Sequence, residues 1–92
     1  MIRSIRCADT EILASGQRVR RFESIAGMAR RKLRQLGIAG RLDDLRIPPG
    51  NRLETLKGAR QGQYSIRVND QWRICFRWTA AGPEDVEIVD YH

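Results

Sequence analysis

The fold is decided by residues 63–78, QYSIRVNDQWRICFRW, in which polar and apolar residues alternate on both sides of a short polar break at Asn69–Gln71. Alternation with a period of two is typical of β-strands that bury one face. The apolar rows must share that face, and a three-residue loop at Asn69–Gln71 achieves this by placing Ile66 opposite Ile74. We therefore predict an antiparallel hairpin with the apolar rows Tyr64, Ile66 and Val68, and Trp72, Ile74, Phe76 and Trp78.

Helical patterns dominate the N-terminal half. Apolar residues recur at steps of three and four from Phe22 to Leu36, which predicts one amphipathic helix that Gly37 ends. Before it, Ile2–Cys7 is predicted to be a short strand, and a brief helix is expected between Asp9 as its N-cap and Gly16 as its stop. The helices are expected to cover one face of the sheet.

Shorter elements complete the expected fold. Leu42–Ile47 predicts one helical turn that Pro48 and Pro49 stop, Arg52–Leu56 a short strand, and Asp85–Tyr91 the last strand. We predict an α+β domain with a four- or five-stranded, mostly antiparallel sheet. The N-terminal helices pack on one face of this sheet, and the other face is open and carries polar groups.

The composition sets limits on the class of protein. Ninety-two residues are expected to form one domain, and no apolar run approaches the roughly 20 residues of a membrane span. The N-terminus has no apolar signal segment, so we expect a cytoplasmic protein without membrane contact. Two cysteines, Cys7 and Cys75, and one histidine, His92, form neither a disulfide scaffold nor a metal-binding pattern. No metal and no cofactor are expected.

The net charge of +6 and the pI of about 10.3 favour an anionic partner. The surplus is confined to residues 1–46, which hold eleven basic and five acidic residues, whereas residues 47–92 hold six of each. One helix carries four of these cations, Arg30, Arg31, Lys32 and Arg34. They are either an ordinary solvated helix face or a docking surface for rRNA or an acidic partner.

The hairpin register brings two arginines together. It places Arg67 opposite Arg73 on the open face, with Cys75 and Arg77 following along that strand. Like charges directly opposite each other destabilise a sheet, and an anion between them would remove the conflict. Because the guanidinium fork suits phosphate geometry, the pair predicts a phosphate site, unless the two side chains simply diverge into solvent.

Two further features suggest chemistry only weakly by themselves. Asp90, Tyr91 and His92 end the last strand with three groups that hold or move protons, but terminal residues often fray. Lys57 lies in a Leu-Lys-Gly turn and, taken alone, is an ordinary surface lysine. Neither feature identifies a reaction without further information.

The combination of sequence motifs is more specific. Residues 48–92 contain LKG, then GQYSI, then QWRICF, then a terminal DYH, and in this order they resemble the HigB-type toxins of the RelE superfamily. The resemblance implies the compact fold of small microbial ribonucleases. It also implies cleavage of mRNA in the A site of the 30S subunit of the 70S ribosome. The implied partner is a HigA-type helix-turn-helix antitoxin, through which alone operator DNA would be contacted.

The resemblance also implies roles for individual residues. The catalytic set of the family corresponds to Lys57, Arg73, Asp90, Tyr91 and His92. Arg67 corresponds to a residue that faces the phosphate, and Arg77 and Glu54 are further RNA-binding candidates. Some relatives carry a histidine at the position of Glu54, so a general-base role there is in doubt unless Glu54 takes it over.

The expected reaction is metal-independent RNA cleavage by the neighbouring 2′-hydroxyl. Arg73, Arg67 and Lys57 would stabilise the negative charge of the phosphorane. Asp90 and His92 are the leading proton carriers, and Tyr91 would stack on a base or orient one of them. Two alternatives remain open: a ParE-like toxin that acts on gyrase, and a non-catalytic module that binds RNA or the ribosome.

Overall fold

The hairpin predicted from residues 63–78 lies at the centre of a four-stranded antiparallel sheet in the computed structural model, which describes residues 1–90. The strands follow the chain in the order β1-β2-β3-β4. Their bounds are Glu54–Thr55 for β1, Tyr64–Arg67 for β2, Trp72–Thr79 for β3 and Gly82–Asp90 for β4. The predicted α+β class is confirmed, with four strands in the described part of the chain.

The predicted register of the hairpin is confirmed. Ile66 pairs with Ile74 and Arg67 pairs with Arg73. The loop between the strands is held by Asn69, whose side-chain oxygen accepts the backbone N–H groups of Gln71 and Trp72 at 2.9 and 2.8 Å. An asparagine that bonds its own turn in this way is a common device for closing short loops.

The predicted helix Phe22–Leu36 is wrong at both ends. Arg20–Ile25 is a 3₁₀-helix, and only Ala26–Ile38 forms α2, while Ala8–Ala14 forms α1. In a 3₁₀-helix residues three apart lie in line, so Phe22 and Ile25 both reach the core without the α-helical period. Gly37 lies inside α2, because the helix ends only where Ala39 turns to an extended backbone.

Two predictions about the N-terminal segment also need correction. Ile2–Cys7 is not a strand. Within residues 1–90 this segment forms only one isolated β-bridge, a parallel one between Ile5 and Val86. Asp85, the residue before Val86, has a φ of +52°, which interrupts the extended backbone of β4. The cap position of α1 is occupied by Cys7, and Asp9 lies in the first turn.

The remaining elements are short. Leu42–Arg46, Pro49–Asn51 and Gly58–Arg60 are 3₁₀-helices. The strand predicted at Arg52–Leu56 is reduced to β1, Glu54–Thr55, because Arg52 adopts a left-handed conformation with φ of +46°. None of the helices in residues 1–90 is long and apolar enough to cross a membrane.

The main core lies between the helices and one face of the sheet, as predicted. Buried residues of the helical half meet the apolar rows of β2, β3 and β4, and Phe22 and Trp72 contact edge to face with ring centroids 5.4 Å apart. The principal buried residues are Leu13, Phe22, Ile25, Ala29, Leu33, Leu36, Ile66, Ile74, Phe76, Val86 and Ile88.

The opposite face is not open at its centre, contrary to the prediction. One row of partners crosses all four strands on this face, from Glu54 through Ser65 and Cys75 to Glu87. Ser65 and Cys75 are fully buried. The row is covered at one end by Arg60, which bonds Glu87 at 2.9 Å. The centre of this face is therefore buried, while Glu54 at one end of the row and Arg60 at the other remain partly exposed.

Candidate active site

A polar cavity of about 240 Å³ opens at the end of the sheet where the β2–β3 loop and the start of β1 meet. Three of its lining residues are arginines, and two are carboxylates. The lining residues are Arg52, Glu54, Arg67, Asn69, Asp70 and Arg73. The arrangement concentrates N–H donors of the kind that bind phosphate.

Arg73 forms the floor of this cavity. The residue is only 6% exposed, so its predicted position on an open face is wrong. Its Nε donates to the hydroxyl of Ser65 at 2.8 Å, and one Nη donates to the carbonyl of Arg52 at 2.6 Å. The other Nη lies 3.9 Å from a carboxylate oxygen of Glu54. These contacts fix the guanidinium before any ligand arrives.

Arg67 stands opposite Arg73 as predicted, but the two guanidinium groups do not need an anion to coexist. The carboxylate of Asp70, whose side chain is 97% exposed, forms an ion pair with Arg67. The Arg67 side chain itself remains 31% exposed. Each arginine has its own oxygen partners, so the two like charges are accommodated within the protein.

Four residues of the site were not predicted from the sequence: Arg52, Asn69 and Asp70 in the cavity lining, and Ser65, which bonds Arg73. Arg52 follows the 3₁₀-helix Pro49–Asn51, and its left-handed backbone directs its carbonyl to Arg73. A non-glycine residue in this conformation is uncommon and is often found at functional sites. Ser65 lies between two apolar residues of β2, so its side chain is on the same face of the sheet as that of Arg73. The alternation of residues along β2 was the sequence signal for this position.

Glu54 is brought to the cavity and is half-exposed there. Its carboxylate has access to both the solvent and the arginine floor. This location is compatible with transfer of a proton to or from a ligand in the cavity, since a general base must first be within reach of its proton.

Lys57 and Arg77 do not line the cavity. Lys57 is exposed and precedes the 3₁₀-helix Gly58–Arg60. Arg77 lies four residues beyond Arg73 on β3, about 13 Å away at ~3.3 Å per residue. Its Nε is 3.6 Å from a carboxylate oxygen of Asp85. The structure therefore does not bring Arg77 together with the other RNA-binding candidates.

Asp90 ends β4 and does not line the cavity. It pairs with Trp72, while Val89 pairs with Arg73, so Asp90 has the parity of the core-facing residues of β4. The side-chain amide of Gln71 donates to its carboxylate at 3.0 Å. The predicted catalytic residues Tyr91 and His92 lie outside the described residues, and their roles stay predictions.

The four cations of α2 do not form one solvated face. Arg30 donates to the carbonyls of Leu13 and Gln17 at 3.1 and 2.8 Å, which ties α2 to the end of α1. Lys32 bonds the side-chain oxygen of Asn51. Arg31 and Arg34 are exposed. The helix thus has two structural cations and two exposed ones.

The two cysteines differ in environment. Burial raises the pKa of the Cys75 thiol, against the opposing effect of the nearby Arg60. For Cys7, burial acts in the same direction, but the bonds from Thr10 and Asp9 and the positive charge of Arg21 together outweigh it and lower the pKa. Within residues 1–90, histidine, cysteine and carboxylate side chains form no group that could hold a metal ion.

Comparisons with known proteins add to this geometry. Residues 13–92 match the family model described as the RelE-like toxin of the type II toxin-antitoxin system HigB. The chain is 53% identical over 55 residues to Toxin HigB-1 of Vibrio cholerae, covering 60% of this chain and 58% of that protein. It is 42% identical over 48 residues to an uncharacterised protein of Haemophilus influenzae, covering 52% and 48%. The aligned part is thus about half to three-fifths of these curated relatives.

Proposed function

The chain belongs to the RelE-like HigB toxins of type II toxin–antitoxin systems, as the motifs of residues 48–92 predicted, and from this we propose that it is a ribosome-dependent mRNA endonuclease. The observation that carries the proposal is the cavity in which Arg73 is fixed at the floor and Arg52 and Arg67 line the walls. Three guanidinium groups around one polar cavity suit a phosphodiester better than a neutral ligand.

The proposed reaction is transesterification. The 2′-oxygen of the ribose attacks the adjacent phosphorus, the bond from phosphorus to the 5′-oxygen breaks, and the products are a 2′,3′-cyclic phosphate and a 5′-hydroxyl. The proton of the 2′-hydroxyl goes to a base, and an acid protonates the leaving oxygen. Arg73 and Arg67 donate to the non-bridging oxygens as negative charge develops, and one such donor is worth about 3–4 kcal/mol in other enzymes.

The acid and the base are proposed from the groups around this cavity. Glu54 is the lining carboxylate closest to Arg73 and is a candidate base. Asp90 and His92 are proposed as further proton carriers, with Tyr91 stacking on a base, on the family resemblance alone. Lys57 is proposed to reach the phosphate of a bound strand from outside the cavity lining.

Dependence on the ribosome is proposed because the cavity is small and shallow for a long RNA strand. A ribosome that holds mRNA in its A site would supply the in-line geometry that the attack needs. Positioning of this kind is worth about 7–11 kcal/mol of a reaction barrier. The protein would act where translation takes place, in the cytoplasm.

The proposed partner is a HigA-type antitoxin. The positive charge of residues 1–46 favours an acidic partner, because complementary charge speeds and orients association. A cavity of about 320 Å³ between α1 and α2 combines Arg30 and Arg34 with apolar residues such as Ile2 and Leu33. We propose this cavity as the antitoxin contact.

The test is cleavage of mRNA on programmed ribosomes. The purified chain is incubated with 70S ribosomes and mRNA, and both ends produced by each new cut are mapped and identified. We expect cuts within the A-site codon that leave a 2′,3′-cyclic phosphate and a 5′-hydroxyl, the ends that attack by the 2′-oxygen produces. Inhibition of gyrase without such cuts would support a ParE-like toxin, and ribosome binding without cuts would support a non-catalytic module.

A further inference from the structure

A second cavity adjoins the candidate active site. It has a volume of about 390 Å³ and lies between α2 and the Pro48–Asn51 segment. Arg67 lines this cavity as well as the arginine-floored one, so the two cavities adjoin at that side chain. The lining residues are Met28, Arg31, Lys32, Gln35, Pro48, Gly50, Arg67 and Val68.

The chemistry of this cavity is divided between charge and apolar surface. Arg31, Lys32 and Arg67 supply three cations, and neither of the described carboxylates of the first cavity lines the second. Met28, Pro48 and Val68 supply apolar surface beside them. A nucleotide presents the same combination, an anionic phosphate joined to a flat base.

Lys32 is held in place at the wall of the cavity. Its ammonium donates to the side-chain oxygen of Asn51, which is fully buried and donates in turn to the carbonyl of Leu45 at 3.1 Å. That bond uses one of the three donors of an ammonium. Burial and the neighbouring Arg31 lower the pKa of Lys32, and the negative charge of a bound anion would act in the opposite direction.

We propose that this second cavity binds the nucleotide of the mRNA strand that neighbours the scissile phosphate, with Arg31 and Lys32 contacting the flanking phosphate. The inference rests on the proposed function. The mRNA is favoured over rRNA or an acidic protein because Arg67 lines both cavities. A strand whose scissile phosphate lies against Arg67 and Arg73 must continue beyond the first cavity, and its next nucleotide needs a binding surface there. The second cavity is the adjoining space that offers both cations and apolar surface.

The experiment combines protein variants with an mRNA in which one flanking phosphate is replaced by an uncharged methylphosphonate. Cleavage on programmed ribosomes is measured for Arg31→Gln, Lys32→Gln and Arg20→Gln, where Arg20 is an exposed control outside both cavities. We expect each cavity variant to lose about 5- to 10-fold in cleavage rate, corresponding to about 1–1.4 kcal/mol. Arg20→Gln should lose less than about twofold, as surface changes without partners do.

The decisive readout is non-additivity. A neutral phosphate on one side of the cut should slow the natural protein by a similar factor, have a smaller effect on Arg31→Gln or Lys32→Gln, and have none on the protein that carries both changes. Additive effects would overturn the proposal. Additive effects together with weaker binding to ribosomes without mRNA would assign these cations to rRNA, and weakened binding of the antitoxin alone would assign them to that protein.

Two controls keep the result interpretable. Lys32→Gln also disturbs the bond to Asn51, so Met28→Glu, which adds a carboxylate to the same cavity without touching that bond, should slow cleavage in the same way. If the natural protein cuts no mRNA on ribosomes, the proposed function fails. In that case binding of a single-stranded oligonucleotide still tests the cavity, and equal affinity of Arg31→Gln and the natural protein would overturn it.

Discussion

The hydroxyl of Ser65 accepts the Nε–H of Arg73 at 2.8 Å, and both residues are buried on neighbouring strands. The bond leaves the Nη groups of Arg73 directed to Arg52 and Glu54 at the cavity. Ser65 is therefore a positioning residue for the cation at the floor. Substitutions at either residue are therefore expected to affect both the stability of the fold and the rate of cleavage.

Ser65→Ala should weaken both the fold and the reaction. Loss of the acceptor leaves a buried guanidinium N–H without that partner, which costs about 1–3 kcal/mol. Cleavage should fall by about tenfold or more because the cation at the floor is no longer held in register. Denaturant unfolding and the ribosome assay measure the two effects. In an Arg73→Gln background the same change should cause no further loss of stability, and an additive loss would show that Ser65 acts independently of Arg73.

Arg73→Gln should destabilise the protein as well as abolish cleavage. The pairing of Arg73 with Arg67, taken alone, favours unchanged or higher stability, because the substitution removes one of two like charges that face each other. The burial of Arg73 and its bonds to Ser65 and Arg52 reverse that expectation. We expect a loss of about 1–3 kcal/mol in the free energy of unfolding. Arg77→Gln on the same strand is the matched control and should cost less, and equal stability of Arg73→Gln and the natural protein would contradict this account.

Arg67→Gln should slow cleavage strongly and have little effect on the stability of the fold. Its side chain is partly exposed and its partner Asp70 is almost fully exposed, so the ion pair contributes little, within about 0.5 kcal/mol. Cleavage should fall by about 10²-fold, the typical cost of removing one preorganised donor. Asp70→Asn is the control: it removes the competing carboxylate and should cleave at least as fast as the natural protein. Slow cleavage by Asp70→Asn would show that the ion pair itself is needed.

The two thiols should react at very different rates. Cys7 is half-buried with a lowered pKa, whereas Cys75 is fully buried with a raised one. Because the thiolate is the reactive form, iodoacetamide at neutral pH should label Cys7 first, and Cys75 only after unfolding. Peptide mass spectrometry measures the sites. Rapid labelling of Cys75 in the folded protein would contradict its burial.

Cys75 should also make stability fall at alkaline pH. The folded protein holds the pKa of this thiol above its ordinary value of 9.0, mainly through burial. The unfolded chain therefore loses the proton first, and the free energy of unfolding declines as the pH rises from about 9 through the higher folded pKa. Unfolding curves across this range should show a smaller decline for Cys75→Ala than for the natural protein.

Arg34→Glu should weaken antitoxin binding, and Arg30→Glu should not be used for that purpose. Arg34 is exposed at the proposed contact, whereas Arg30 bonds two backbone carbonyls and supports the fold. The affinity of Arg34→Glu should fall and become less dependent on salt, because a favourable charge contact is lost. Titration calorimetry at two salt concentrations measures this, and an unchanged affinity would place the antitoxin elsewhere.

The sequence by itself determined the hairpin, its register and the family. Alternation in residues 63–78 leaves one register that buries both apolar rows, since a slip of one residue would turn every side chain to the other face. The pairing of Ile66 with Ile74, and of Arg67 with Arg73, follows from that alone. The motifs from the Leu-Lys-Gly turn onward were specific enough to indicate the HigB-type toxins.

Only the tertiary structure decided what covers each face and which cations are available. Parity places Arg73 on one side of the sheet, but its burial depends on the carbonyl of Arg52, on the hydroxyl of Ser65 and on the side chains packed over the row. Likewise, Arg30 is a structural cation because α1 ends beside it. Side-chain period is a local property of the backbone, whereas burial and the partner of a long charged side chain depend on segments distant in sequence.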